Sequence, residues 1–183
     1  DESIHAQWSW RLIQGDYTHS PIFHGPLYYH VQGLFFLIFG DSDYTARMSA
    51  AVFGMGIVAL PLLLRKRLGQ IGTFAAVTFI AFSPTLVYYS RFFREDIYMA
   101  LFTLLTVIST WRYLDEGRER WLYVFAAAFV GAVLVKEGAF LTFAVFLVYL
   151  DLHLSVDLGR RMLRARGLED ETWRRVAMTF FLL

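Results

Sequence analysis

The sequence predicts an all-α, polytopic transmembrane helical bundle, and three observations carry that expectation. The 183 residues are 57% hydrophobic and 18% aromatic, more apolar material than a soluble domain of this length can bury. Only 18% are charged, against roughly 25% in an ordinary soluble domain, and the mean hydropathy is +0.46. The apolar residues also fall in blocks, several close to the roughly 20 residues a helix needs to cross a bilayer. The absence of cysteine excludes disulfides, thiolate metal sites and a cysteine nucleophile. A net charge of +1 gives no reason to expect nucleic acid as a partner.

Residues 1–43 read as a first outer loop. Within it, residues 25–40 (GPLYYHVQGLFFLIFG) are short and aromatic and carry His30 and Gln32, which predicts an interfacial or re-entrant helix in preference to a sixth short span. Five transmembrane helices are expected within residues 44–150: 44–64, 71–90, 96–114, 121–135 and 138–150. Pro61 and Pro84 are compatible with spans, because neighbouring helices re-satisfy freed carbonyls in a membrane. The pairs Ala50/Gly54 and Ala127/Gly131 place small residues one turn apart, which suits close helix packing. Residues 151–175 read as a cytoplasmic basic loop whose segment 159–175 could also lie as a lipid-binding surface helix, and residues 176–183 as the start of a further, truncated span. The opening at Asp1, without a preceding apolar segment, reads as a fragment.

Charge orients the bundle. If the loops after the first, third and fifth spans share a side, that side holds twelve of the 17 basic residues and the other holds Arg11, Arg47, Arg91, Arg94 and Lys136. The acidic residues divide eight and eight, which leaves the basic side at +4 and the other at −3. The basic side is therefore cytoplasmic and the protein is expected in the cytoplasmic membrane.

On the outer side three clusters stand out: the histidines and carboxylates of the first loop, SRFFRED at 90–96, and Lys136-Glu137. Charged groups near a membrane are costly and tend to be kept for ligand chemistry. The plain alternative is pairing at the interface, such as Arg94 with Asp96. Asp1, Glu2 and His5 could share a helix face and hold a divalent cation, but the order is reversed from a zincin motif and lacks its second histidine. His19, His24 and His30 suit interfacial hydrogen bonding. The sequence Gly54-x-Gly56-x-x-Ala59 lies mid-span with no strand before it and reads as helix packing, and the tryptophans read as an aromatic belt. Carboxylates and cations beside lipid suit a reaction on a lipid-linked phosphate: cations neutralise the phosphate while a carboxylate takes a proton from an attacking hydroxyl.

The ordered motifs DESIHA, HGPLYYH, FGDSDYTARMSAAVFG, RKRLG, SPTLVYYSRFFREDIYMA and VLVKEGAF, covering residues 1 to about 140, resemble the GT-C class of polyprenyl-phosphate-sugar-dependent glycosyltransferases. Protein O-mannosyltransferases and aminoarabinose transferases share this layout, and the flippase-activity-associated subgroup is most similar. The resemblance implies the N-terminal part of a GT-C fold, a polyprenyl-phosphate-linked sugar donor, a protein, glycan or lipid acceptor, and inverting transfer on the outer face. It implies Asp1 as catalytic base, with Glu2 supporting it or binding a metal. Arg47 would line the site, Asp96 is the aspartate after YSR-F, and Lys136 would contact the donor phosphate. Arg91 and Arg94 join these as substrate-binding candidates. HGPL stands where the family has H-P-P-L, so His24 follows with Gly25 in place of the first proline, and Glu137 stands where many relatives have glycine.

Two other functions are compatible with the sequence. A lipid-linked-sugar flippase or transporter would show mid-span charges or repeated broken helices, and neither is visible. A non-catalytic assembly subunit would keep the fold without the chemistry.

Overall fold

The computed structural model describes residues 2–16 and 25–165, and among these residues every regular element is helical. The chain runs α1 (Glu2–Gln14), α2 (Leu27–Phe39), α3 (Asp43–Ala59), a 3₁₀ segment (Leu60–Leu64), α4 (Arg65–Ala81), α5 (Pro84–Tyr89), α6 (Glu95–Glu116), α7 (Arg120–Val135) and α8 (Ala139–Ala165). Three helical stretches are long and apolar enough to cross a membrane: Asp43–Ala81, Glu95–Glu116 and Ala139–Arg160. α2 and α7 are apolar but shorter. The all-α membrane bundle expected from composition is the observed fold class. Asp1, His19, His24, Trp173 and the segment 176–183 lie outside the described residues.

Proline and glycine set the breaks. Pro61 sits in the 3₁₀ segment and Pro84 opens α5, both positions where a missing N–H costs little. The apolar block 71–90, expected as one span, is therefore divided at Phe82–Ser83 into α4 and α5. Gly69, at φ 71° and ψ −179°, kinks the helix just after Arg65, Lys66 and Arg67. A residue with a Cβ adopts that conformation only under strain. Ser42 caps α3, its hydroxyl accepting from the Thr45 N–H at 3.1 Å.

Contacts divide the chain after Phe140. In the first unit α6 and α7 pack most extensively, and α2 lies against α1, α3 and α7. Small residues make the close crossings: Gly131 on α7 faces the ring of Phe102 on α6, where a Cβ would come within 2.6 Å. The core gathers Tyr28, Tyr29, Ala50, Ile57, Phe93, Ile97, Tyr98 and Val135.

α2 contributes more than an interfacial reading of its polar residues implies. Gln32 is wholly buried. Its amide donates to the Thr45 carbonyl at 3.2 Å and its carbonyl accepts from the Ser49 hydroxyl. With its proton given to Gln32, Ser49 accepts from the Tyr98 hydroxyl at 2.6 Å. This satisfied buried chain ties α2, α3 and α6 together. His30, by contrast, is exposed, and its Nδ1 lies 2.8 Å from the Pro26 carbonyl one turn back.

The second unit is described through α8. The helix continues past Leu150 to Ala165, so the described part of 151–175 is helical. Phe146, Tyr149 and His153 stack along it at 6.4 and 6.2 Å, the spacing of successive turns.

Candidate active site

The site is built from helix starts and the loops that precede them. Glu2 begins α1, and positions 2, 5 and 9 of that helix share a face. His5 and Ser9 on this face are buried. The His5 Nδ1 lies 2.8 Å from the Tyr28 hydroxyl and 3.0 Å from that of Tyr29, and its ring packs edge-on to Tyr28 and Phe93. α1 is thereby fixed to α2 and to the loop before α6, which sets where Glu2 emerges.

Glu2 is held by Arg47. The guanidinium Nε donates to Oε1 at 2.9 Å and Nη2 to Oε2 at 3.3 Å, a two-toothed pairing that fixes orientation as well as charge. The Phe93 N–H approaches the same Oε1 at 3.5 Å. Glu2 and His5, paired in the sequence as metal candidates, are thus turned to different partners one helical turn apart. Among the described residues no group of three or more His, Cys, Asp or Glu side chains is arranged to hold a metal ion.

The loop from Ser90 leads into α6, whose first turn carries Glu95 and Asp96. Carboxylates there face the positive end of the helix dipole. Glu95 is 1% exposed. The Lys136 Nζ, at the end of α7, donates to Glu95 Oε1 at 3.2 Å and to Asp96 Oδ1 at 3.1 Å. Arg94 adds ion pairs to Glu95 at 3.8 Å and to Asp96 at 3.4 Å. Burial alone would lower the Lys136 ammonium pKa, but hydrogen bonds to Asp96 and Glu95 and the charges of both carboxylates carry it above the ordinary value. The four side chains together carry no net charge.

Gly25 ties the first loop to the same place. Its N–H donates to the Val135 carbonyl at 3.1 Å, beside Lys136. A Cβ at this position would collide with the carbonyl of Leu134. The glycine that replaces a proline of the family motif is therefore matched to a close backbone approach against the end of α7.

The three sequence clusters accordingly meet at one end of the bundle. Glu2, Arg47, Arg94, Asp96 and Lys136 come together, with Phe93 linking the first group to the second. Arg91, exposed, lines a 420 Å³ cavity with Asp43, Tyr44, Arg47 and Ser90. Asp1 and His24 lie outside the described residues. Glu95, Tyr28 and Tyr29 are the members that sequence reasoning missed. The adjacency of Glu95 to Asp96 at a helix start was the one visible signal for the first, and nothing local distinguishes the tyrosines from ordinary aromatic core.

The opposite end of the bundle carries its own charge cluster. Arg67 pairs with both oxygens of Asp115 at 2.6 and 2.8 Å and covers the Trp111 ring at 4.1 Å. Glu116 accepts from the Trp121 indole at 2.9 Å and pairs with Arg112 at 2.7 Å. Trp111 and Trp121 thus contact Arg67 and Glu116, whose ion pairs with Asp115 and Lys66 join the basic turn to the α6–α7 loop.

No curated protein and no solved structure matches the chain. Residues 23–168 match the model of the dolichyl-phosphate-mannose-protein mannosyltransferase family. That match spans most of the sequence and includes every site element from Gly25 to Lys136. With its helical membrane fold and this match, the chain belongs to the dolichyl-phosphate-mannose-protein mannosyltransferase family, membrane glycosyltransferases of the GT-C class.

Proposed function

We propose that the protein transfers a sugar from a polyprenyl-phosphate donor to a hydroxyl acceptor on the outer face of the cytoplasmic membrane, with inversion at the anomeric carbon. The observation that carries this reading is the convergence of Glu2, Arg47, Asp96 and Lys136 from four distant segments. A structural ion pair needs two partners, whereas here acids and cations from α1, α3, α6 and α7 are assembled at one rim.

In this reading Asp1 takes the proton from the acceptor hydroxyl. The acceptor oxygen forms its bond to the anomeric carbon as the bond to the phosphate oxygen breaks, and the phosphate leaves with that electron pair. Phosphate is a good leaving group, so cations that stabilise its charge can replace a general acid. Glu2, with both oxygens engaged by Arg47, serves to hold the start of α1.

The test uses the full-length protein in membranes, with dolichyl-phosphate mannose as donor. Asp1→Asn should abolish transfer while membrane insertion is unchanged. Retained transfer would overturn the base assignment, and movement of the labelled lipid between leaflets without any transfer would favour a flippase instead.

A further inference from the structure

Arg91 differs from the other cations of the site. Arg47 is committed to Glu2, and Arg94 and Lys136 to Glu95 and Asp96. Arg91 makes no ion pair among the described residues. It stands in the wall of two cavities. The first is the one whose wall also carries Arg47 and Asp43. The second, of 330 Å³, is apolar and runs between α3 and the α4–α5 break, past Val58, Ile80 and Leu86. Ala51, Ser90 and Arg91 line both, so the two form one cleft with an apolar arm and a mouth that carries Arg47 and Arg91 with the single carboxylate of Asp43.

We infer that this cleft binds the lipid of the donor, with the isoprenoid chain in the apolar arm and the phosphate on Arg91. The inference rests on the transferase reading above and assigns that donor a place. A phosphate approaching Lys136 meets a quartet of zero net charge and must displace a carboxylate to gain a hydrogen bond. At Arg91 no carboxylate has to be displaced, and the guanidinium fork matches phosphate geometry. The apolar arm removes the chain from competing surfaces at the point where the phosphate is held. Arg47, which bonds Glu2, forms the far wall of the mouth, so a sugar on this phosphate would sit beside the start of α1. The division of α4 from α5 at Pro84 leaves this arm open along α3. Gly54 sets its floor, since a Cβ there would come within 2.5 Å of the Ser90 Cβ.

Full-length protein in phosphatidylcholine nanodiscs, irradiated with farnesyl phosphate carrying a terminal diazirine, tests the assignment. The label should fall on α3, α4 and α5 around Val58, Ile80 and Leu86. Farnesyl phosphate should compete for it, and farnesol at least tenfold less well. Arg91→Gln should weaken binding about tenfold and Arg91→Lys much less, while Ala51→Trp, which fills the junction, should remove the label. Should that bulky change unfold the protein, the two Arg91 variants decide alone. Labelling elsewhere, undiminished binding by Arg91→Gln, or equal competition by phosphatidylglycerol overturns the assignment. If any of these occurs while mannose transfer persists, the cleft fails and the transferase reading stands. Loss of both isoprenoid-phosphate binding and transfer in the wild-type protein would sink the transferase reading itself.

Discussion

Arg47 holds Glu2 by both carboxylate oxygens, at 2.9 and 3.3 Å, across a separation of 45 residues. The contact joins the first turn of α1 to the first turns of α3. The Arg47 side chain is 57% exposed and that of Glu2 18%, so the pair contributes little to stability. Its value lies in orientation.

Arg47→Lys should therefore separate position from charge. A lysine keeps the cation but loses the fork, so the start of α1 would be less well fixed. We expect the unfolding midpoint to stay within about 0.5 kcal/mol equivalent of wild type, while the transfer rate falls at least tenfold. A matching loss of stability and activity in thermal-shift and transfer assays would show that the pair acts only as a brace.

The buried chain through Gln32 makes a prediction about rank. Removing the Tyr98 hydroxyl deletes one interhelical hydrogen bond, which in membranes averages about 0.6 kcal/mol. Gln32→Ala leaves the Ser49 hydroxyl and the Thr45 carbonyl without this partner, a larger penalty of about 1–3 kcal/mol. Thermal unfolding in detergent should place Gln32→Ala below Tyr98→Phe, and the reverse order would mean that Gln32 is not the centre of the tie.

These contacts also mark what could be read in advance. Apolar blocks and charge asymmetry are properties of neighbouring residues, so the bundle and the three clusters were legible. The motif order around His24, Arg47 and Lys136 carried the family. What was not legible depends on distant pairs. Gln32 invites an interfacial reading because its partners Ser49 and Tyr98 sit on other helices. Glu95 looks like any charge beside Asp96 until α7 brings Lys136 over it. The break at Pro84 was hidden by an apolar run that continues on both sides, since hydrophobicity does not report whether a helix is interrupted.

Gly25 offers a steric test. Gly25→Ala places a methyl group against the Leu134 carbonyl, and backbone cannot move aside as a flexible side chain can. Overpacking of this kind costs about 1–3 kcal/mol, and the first loop should lift from α7. Faster proteolysis between residues 16 and 27, with a lower unfolding midpoint, is the expected signature. A variant as protected as wild type would show that the hydrogen bond from Gly25 to Val135 does not anchor the loop.

Lys136 gives a pH dependence whose sign follows from its surroundings. Its pKa in the folded protein lies above the ordinary lysine value of 10.5, because the opposing effect of burial is outweighed by Asp96 and Glu95. The stability it supplies is therefore complete below pH 10.5 and is lost as pH rises through the folded value. Lys136→Gln should lower the unfolding midpoint by a nearly constant amount from roughly pH 6 to 9, and the gap should close only in stronger alkali. Arg94 remains to balance one carboxylate, so Glu95→Gln in the Lys136→Gln background should recover part of the loss by removing the charge left buried. A gap that varied across neutral pH would assign the effect to another group, and no recovery in the double variant would mean that Glu95 does not need Lys136.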